Sequence, residues 1–175
     1  MKVRRLLIGA SAGILILASV ATATPASAAT VVTLTVAGGT LSISVPTAAS
    51  LGTWTNTVAG GTISTPLGQV QVLDARSAAA GSGWVASVIS TALTPASGPT
   101  IGAASIGYTA GPITKVGTAT YTPNNPPDLT GVVAAVTATG ITGDNSATWN
   151  PTINVNVPGG TAAGVYTGTI THSLV

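Results

Sequence analysis

The chain has 175 residues, no Cys, 22 Gly and 11 Pro, and only 5% of its residues are charged. Without Cys there is no disulfide framework and no thiolate zinc site. A hydrophobic content of 45% with so little charge is the reverse of a disordered composition.

The charges are unevenly placed. Lys2, Arg4 and Arg5 open the chain, Leu6 to Val20 form an apolar run, and Ala26-Ser27-Ala28 follows as a small-x-small site. This order predicts a secretory signal peptide over residues 1–28, cleaved after Ala28 or, as a near alternative, after Ala29. An uncleaved N-terminal anchor is the competing reading, although the run is short for a membrane span. The mature chain, residues 29–175, is read as one domain. It keeps Arg76 and Lys115 against Asp74, Asp128 and Asp144, so the net charge moves from +2 to −1. No cluster of Lys and Arg remains to displace counterions, which excludes a nucleic-acid partner. No membrane contact is expected after cleavage.

From residue 32 the hydrophobic period is two, with few helix signals. Val32, Leu34 and Val36 alternate with Thr33 and Thr35. Beyond Gly38-Gly39, Leu41, Ile43 and Val45 alternate with Ser42 and Ser44. This predicts a β-hairpin with one apolar and one hydroxyl face. Pro46 to Thr57 has no clear period and reads as a long loop. Strand candidates follow at Val70 to Leu73, Trp84 to Ser90, Ile101 to Tyr108, Lys115 to Tyr121, Val132 to Thr139 and Ile153 to Val157. In the final segment Tyr166, Ile170, His172 and Leu174 share one parity. Turn clusters separate these at Gly60-Gly61, Gly81-Ser82-Gly83, Pro95 to Pro99, Asn124 to Pro127, Gly143-Asp144-Asn145 and Pro158-Gly159-Gly160. About eight short strands with such turns predict an all-β, antiparallel, immunoglobulin-like β-sandwich. Its wet face carries Thr, Ser and Asn in place of Lys and Glu. Strand propensity explains that choice, and so does a surface that hydrogen-bonds polysaccharide or packs on like neighbours.

Catalytic patterns are weak. Gly9-Ala10-Ser11-Ala12-Gly13 matches a nucleophile elbow but falls in the leader. His172 is the one histidine, and its parity with Ile170 and Leu174 puts it in the core or at its edge. Asp74, Asp128 and Asp144 are too scattered to suggest the paired carboxylates of a glycosidase. Asp128 and Gly143-Asp144-Asn145 could supply oxygens to calcium, yet turn chemistry explains them equally. No catalytic residue, metal or cofactor is expected, and the chain is read as a non-enzyme. Asp74 and Arg76, two apart on a strand with Val70 and Val72, predict an ion pair closing one end of the core. Trp84, after Gly83 at the head of an apolar strand, is expected to anchor the core. Trp54 and Trp149 sit among polar residues. They are candidates to stack on a sugar ring, with cover for a sheet edge as the alternative.

Three stretches taken together, Leu67 to Arg76, Gly83-Trp84-Val85-Ala86-Ser87-Val88 and Gly164 to Leu174, resemble the WxL-type surface domains of Gram-positive bacteria. The variant is one seen in secreted actinobacterial proteins, and the similarity spans roughly residues 30–175. The resemblance implies a β-sandwich attached non-covalently to the cell wall, with wall polysaccharide (peptidoglycan) or other surface proteins as partners. Its structural signature falls on Asp74, Arg76, Trp84, Tyr166, His172 and Leu174. Both signature tripeptides depart from the family pattern. Trp84-Val85-Ala86 carries Ala for Leu, and His172-Ser173-Leu174 carries His for Trp. Three roles stand open: a structural or adhesive surface protein, a carbohydrate-binding module using Trp54 or Trp149, and a subunit that self-assembles through the uncharged edge Thr167 to Leu174.

Overall fold

The computed structural model describes residues 31–175. The expected signal peptide and the Ser11 motif lie outside the described residues. The fold is nearly all β, with antiparallel sheets. Its strands are β1 (Leu41–Ser44), β2 (Gly61–Pro66), β3 (Val70–Ser90), β4 (Thr94–Pro95), β5 (Ile106–Thr109), β6 (Ile113–Pro123), β7 (Val133–Trp149), β8 (Thr152–Val157), β9 (Tyr166–Thr167) and β10 (Ile170–Leu174). A 3-10 turn, Ala103–Ser105, precedes β5.

The larger sheet runs β1-β3-β7-β6, and β10 also pairs β3. The smaller sheet runs β2-β8-β5, and β4 pairs β9 separately. Alternation explains which faces meet. Val70, Val72, Trp84, Ala86 and Val88 on β3 point inward, as do Ile153, Val155 and Val157 on β8. Both sheets feed one buried cluster, an arrangement consistent with a β-sandwich. The opposite faces expose Ser42, Ser44, Thr62 and Ser64.

The sequence reading is corrected at several points. The hairpin over residues 32–45 does not form. Only β1 is a strand, and it pairs β3, with Leu41 opposite Asp74. Residues 31–40 carry no strand. Gly81-Ser82-Gly83 and Gly143-Asp144-Asn145 are not turns between strands. They lie inside β3 and β7, which run as a 21-residue and a 17-residue strand. The turn-forming residues are absorbed as irregularities: the β3–β7 ladder shifts register between Asp74 and Ala78, Ala78 and Ser82, and Ser82 and Trp84. Among the described residues, Ser77, at φ 53°, is the one non-glycine with positive φ. A further shift, where Ala86 faces Val136 but Ser87 faces Ala134, leaves Ala135 as the extra residue of a bulge. It lets the consecutive residues Ala135 and Val136 both be buried. The region from Pro46 to Thr57 is strand-free. β2 carries little period-two signal, because Gly61 and the Thr and Ser around Ile63 leave it one strong apolar residue.

Candidate functional site

Three constellations are built on this frame. The first sits where β3, β6 and β7 adjoin. Asp74 is fully buried, and the Arg76 guanidinium grips it on both oxygens, Nε to Oδ1 at 2.8 Å and Nη2 to Oδ2 at 2.9 Å. The Arg76 backbone N–H adds a third bond to Oδ1 at 3.1 Å. From β7, Asn145 donates Nδ2 to Asp74 Oδ2 at 3.1 Å. The Asn145 Oδ1 in turn accepts from Trp84 Nε1 (3.2 Å) and Tyr121 OH (2.9 Å). Every member of this chain has a partner. The Arg76 bonds hold the Asp74 carboxyl below its usual range against the opposing effect of burial. Burial and the nearby Asp74 charge push the Tyr121 hydroxyl up. The ion pair expected from the sequence is thus present. Asn145, read as a turn residue, is its hub, and only its inward parity with Ala147 and Trp149 could have revealed that.

The second constellation corrects the reading of Trp149. Its side chain is not available to a sugar: it is 2% exposed, because its parity on β7 turns it into the core. Its Nε1 donates to Tyr108 OH at 2.8 Å. The indole can only donate, so Tyr108 OH accepts there, and its oxygen also lies in hydrogen-bond contact with His172 Nε2, 3.2 Å away. The other ring nitrogen, Nδ1, is buried without a partner. His172 is half-buried at the core edge, and burial lowers its pKa to about 4. Burial raises the Tyr108 hydroxyl well above its ordinary value.

A pH dependence follows from this geometry. Unfolded, His172 takes its proton near pH 6.5, whereas folded it stays neutral down to about 4. Stability is therefore full above pH 6.5 and falls as pH drops through that window, by up to about 3 kcal/mol. With no Glu in the chain, no other side chain has its ordinary pKa there. Below that window the stability supplied by Asp74 is lost as well, as pH falls through its depressed pKa. Urea midpoints at pH 7, 5 and 4 should fall steadily in the native chain. They should be nearly flat above pH 4.5 in His172→Leu. Equal slopes in the two proteins would show that His172 is not the titrating group.

The third constellation is a cleft of about 730 Å³ between the 49–56 loop and the 161–168 segment. Leu51, Trp54, Ile63, Leu93, Ile101 and Tyr166 line it, and no charged side chain does. Asn56 Nδ2 bonds the Thr161 carbonyl across it, and Tyr166 OH donates to the Ala162 carbonyl at 2.9 Å. Trp54 is partly buried and packs on the core. Its ring covers Gly61 so closely that any side chain at that position would collide with it. The Trp54 Nε1 is buried and has no partner.

The remaining acidic residues are occupied locally. Asp128 Oδ1 accepts from the Thr130 hydroxyl (2.7 Å) and N–H (3.2 Å), and these bonds hold its carboxyl below the usual range. Asp144 Oδ1 accepts from the Ser77 N–H at 2.8 Å. Among the described residues, no three His, Cys, Asp or Glu side chains cluster as metal ligands would. The tripeptides Trp84-Val85-Ala86 and His172-Ser173-Leu174 lie on neighbouring strands: Ala86 faces Leu174 and Val88 faces His172 across the β3–β10 ladder. Trp84 is buried, and His172 and Leu174 are half-buried. No family model, curated protein or solved structure matches this chain.

Proposed function

We propose that this chain is exported by means of residues 1–28 and works as a non-enzymatic, immunoglobulin-like β-sandwich at a bacterial surface. Its role is structural or adhesive, with non-covalent retention on wall polysaccharide. The carrying observation is the chemistry of the outer faces. On the smaller sheet Ser64, Asn154 and Thr109 form a hydrogen-bonded row, Ser64 Oγ to Asn154 Oδ1 at 2.7 Å and Asn154 Nδ2 to Thr109 Oγ1 at 3.1 Å. That row borders a shallow hollow flanked by Thr62, Asn125 and Asn156. Neutral hydroxyl and amide groups match the hydrogen-bonding of a polysaccharide and create no field to repel an anionic wall. A non-enzymatic role is supported by the engagement of Asp74, Asp128, Asp144 and His172 in local bonds. The resemblance to WxL-type domains points the same way. The test is co-sedimentation with purified Gram-positive cell walls. Retention above that of an unrelated neutral protein is expected, and equal retention overturns the wall-binding role.

A second reading rests on Trp54 alone. The cleft offers a partly buried indole beside hydroxyl-bearing walls. An indole presents an apolar face to a sugar ring and an N–H to its oxygens. On a glycan array, Trp54→Ala should lose about tenfold or more in affinity, the equivalent of one good aromatic contact. Sugar binding that survives this change, or never appears, removes the reading.

A further inference from the structure

β10 has an open side. Among the described residues it pairs β3 and no other strand. Val85 and Val175 exchange both backbone bonds, at 2.8 and 3.1 Å, and the Thr91 N–H donates to the Thr169 carbonyl at 2.9 Å. Bonded pairs alternate in an antiparallel ladder, so Thr171 and Ser173 also turn their backbone groups toward β3. The N–H and C=O of Ile170, His172 and Leu174 therefore point away from it. The same three residues carry the half-buried side chains of β10, while Thr171 and Ser173 are exposed. No fixed charge and no Pro interrupts this edge, two of the usual means of blunting one.

Residues 31–36 show the complementary defect. Val32, Leu34 and Val36 are 86%, 84% and 76% exposed, and they alternate with Thr33 and Thr35 in a segment assigned to no strand. An apolar row of period two is the pattern of a strand with one covered face, yet here it stands in water. Extended, six residues reach about 20 Å, enough to run the length of β10.

We propose that residues 31–36 of one copy add as a strand to the open side of β10 in a second copy. The apolar row would cover Ile170, His172 and Leu174, and Thr33 and Thr35 would lie beside Thr171 and Ser173. Backbone bonds supply affinity in such strand addition, and alternate side chains supply register. A second copy is the partner because it brings both halves at once: the exposed row and a β10 that, among the described residues, is paired on one side only. Donor and acceptor surfaces differ, so each added copy presents a fresh β10 edge, and the product is an open chain of subunits. The proposal is independent of wall retention, since it concerns contact between copies only.

The lack of native cysteine makes the test direct. Protein is recovered from the producing cells and its N-terminus read by mass spectrometry. Chains bearing Thr33→Cys or Thr35→Cys are mixed with chains bearing Thr171→Cys or Ser173→Cys under mild oxidation. One pairing should give a disulfide heterodimer about tenfold above that formed with Val58→Cys, a control in an exposed loop, because docking raises the local thiol concentration. In light scattering, the unaltered chain should gain mass with concentration. Leu34→Lys should remain monomeric with its thermal midpoint unchanged. Three results overturn the proposal: an unaltered chain that stays monomeric at every concentration, no pairing that crosslinks above the Val58→Cys control, or a recovered N-terminus beyond Val36.

Discussion

Trp149→Ala should cost about 3–5 kcal/mol of unfolding free energy, a large part of the 5–15 kcal/mol typical of a domain. Trp149 ends β7 and sits between Val70 of β3 and Ile113 of β6 in the ladder. It is among the largest fully buried side chains. Alanine leaves a cavity the sheets cannot close without shifting three strands. It also removes the donor to Tyr108 OH, although Tyr108 keeps its bond to His172. Trp149→Phe retains most of the packing and loses only the N–H, so about 1–2 kcal/mol is expected. Urea denaturation at pH 7 separates the two. A loss below about 1 kcal/mol for alanine is incompatible with a buried indole.

Arg76→Met should cost about 3 kcal/mol, the lower end for breaking a buried pair from one side. The asymmetry of the pair sets the direction. Asp74 is fully buried whereas the Arg76 side chain is 37% exposed, so the loss falls on the carboxylate left behind. Asn145 Nδ2 and one backbone N–H remain to it. The effect has a pH signature. In the native chain the depressed pKa of Asp74 adds stability above the ordinary carboxylate range, lost as pH falls. Without the guanidinium the largest influence that lowers the Asp74 pKa is gone, and burial, which raises it, meets less opposition. The gap between native and variant should therefore be wider at pH 7 than at pH 3.5. Asp74→Asn in the Arg76→Met background should regain part of the loss, since a neutral amide needs no counter-charge. A gap that does not change with pH would mean Asp74 keeps its charge by other means.

The period-two pattern makes the strand content legible, and for β8 it predicts the bounds within a residue: the alternation spans Ile153 to Val157, and the strand is Thr152–Val157. Parity also placed Trp84 inside and His172 at the core edge. It failed where chemistry at one position serves two purposes. Gly81, Gly83 and Gly143 punctuate loops in most sequences, but here they let long strands absorb register shifts. Asn145 favours turns, yet as an inward residue it has the two-sided amide that a hub needs. Trp149 looked wet because its sequence neighbours Thr148 and Asn150 are polar, although in a strand those neighbours face the other way. The cleft was not legible, because its walls come from segments far apart in sequence and joined only by the fold. The 32–45 hairpin failed for a different reason: local alternation supplies two strands, but β3 offers Leu41–Ser44 a partner that is itself buried.

The position of β3 has a kinetic consequence. β3 joins β1, β7 and β10, and its pairings set residue 70 against residue 149 and residue 90 against residue 170. Such distant pairings place the chain among slow folders, because loop closure must precede any gain. A chain emerging from its N-terminus presents β3 long before β7 or β10 arrives. Through that interval Val70, Val72, Trp84 and Val88 stay uncovered, and the chain remains threadable. Closure waits for the segment that carries His172.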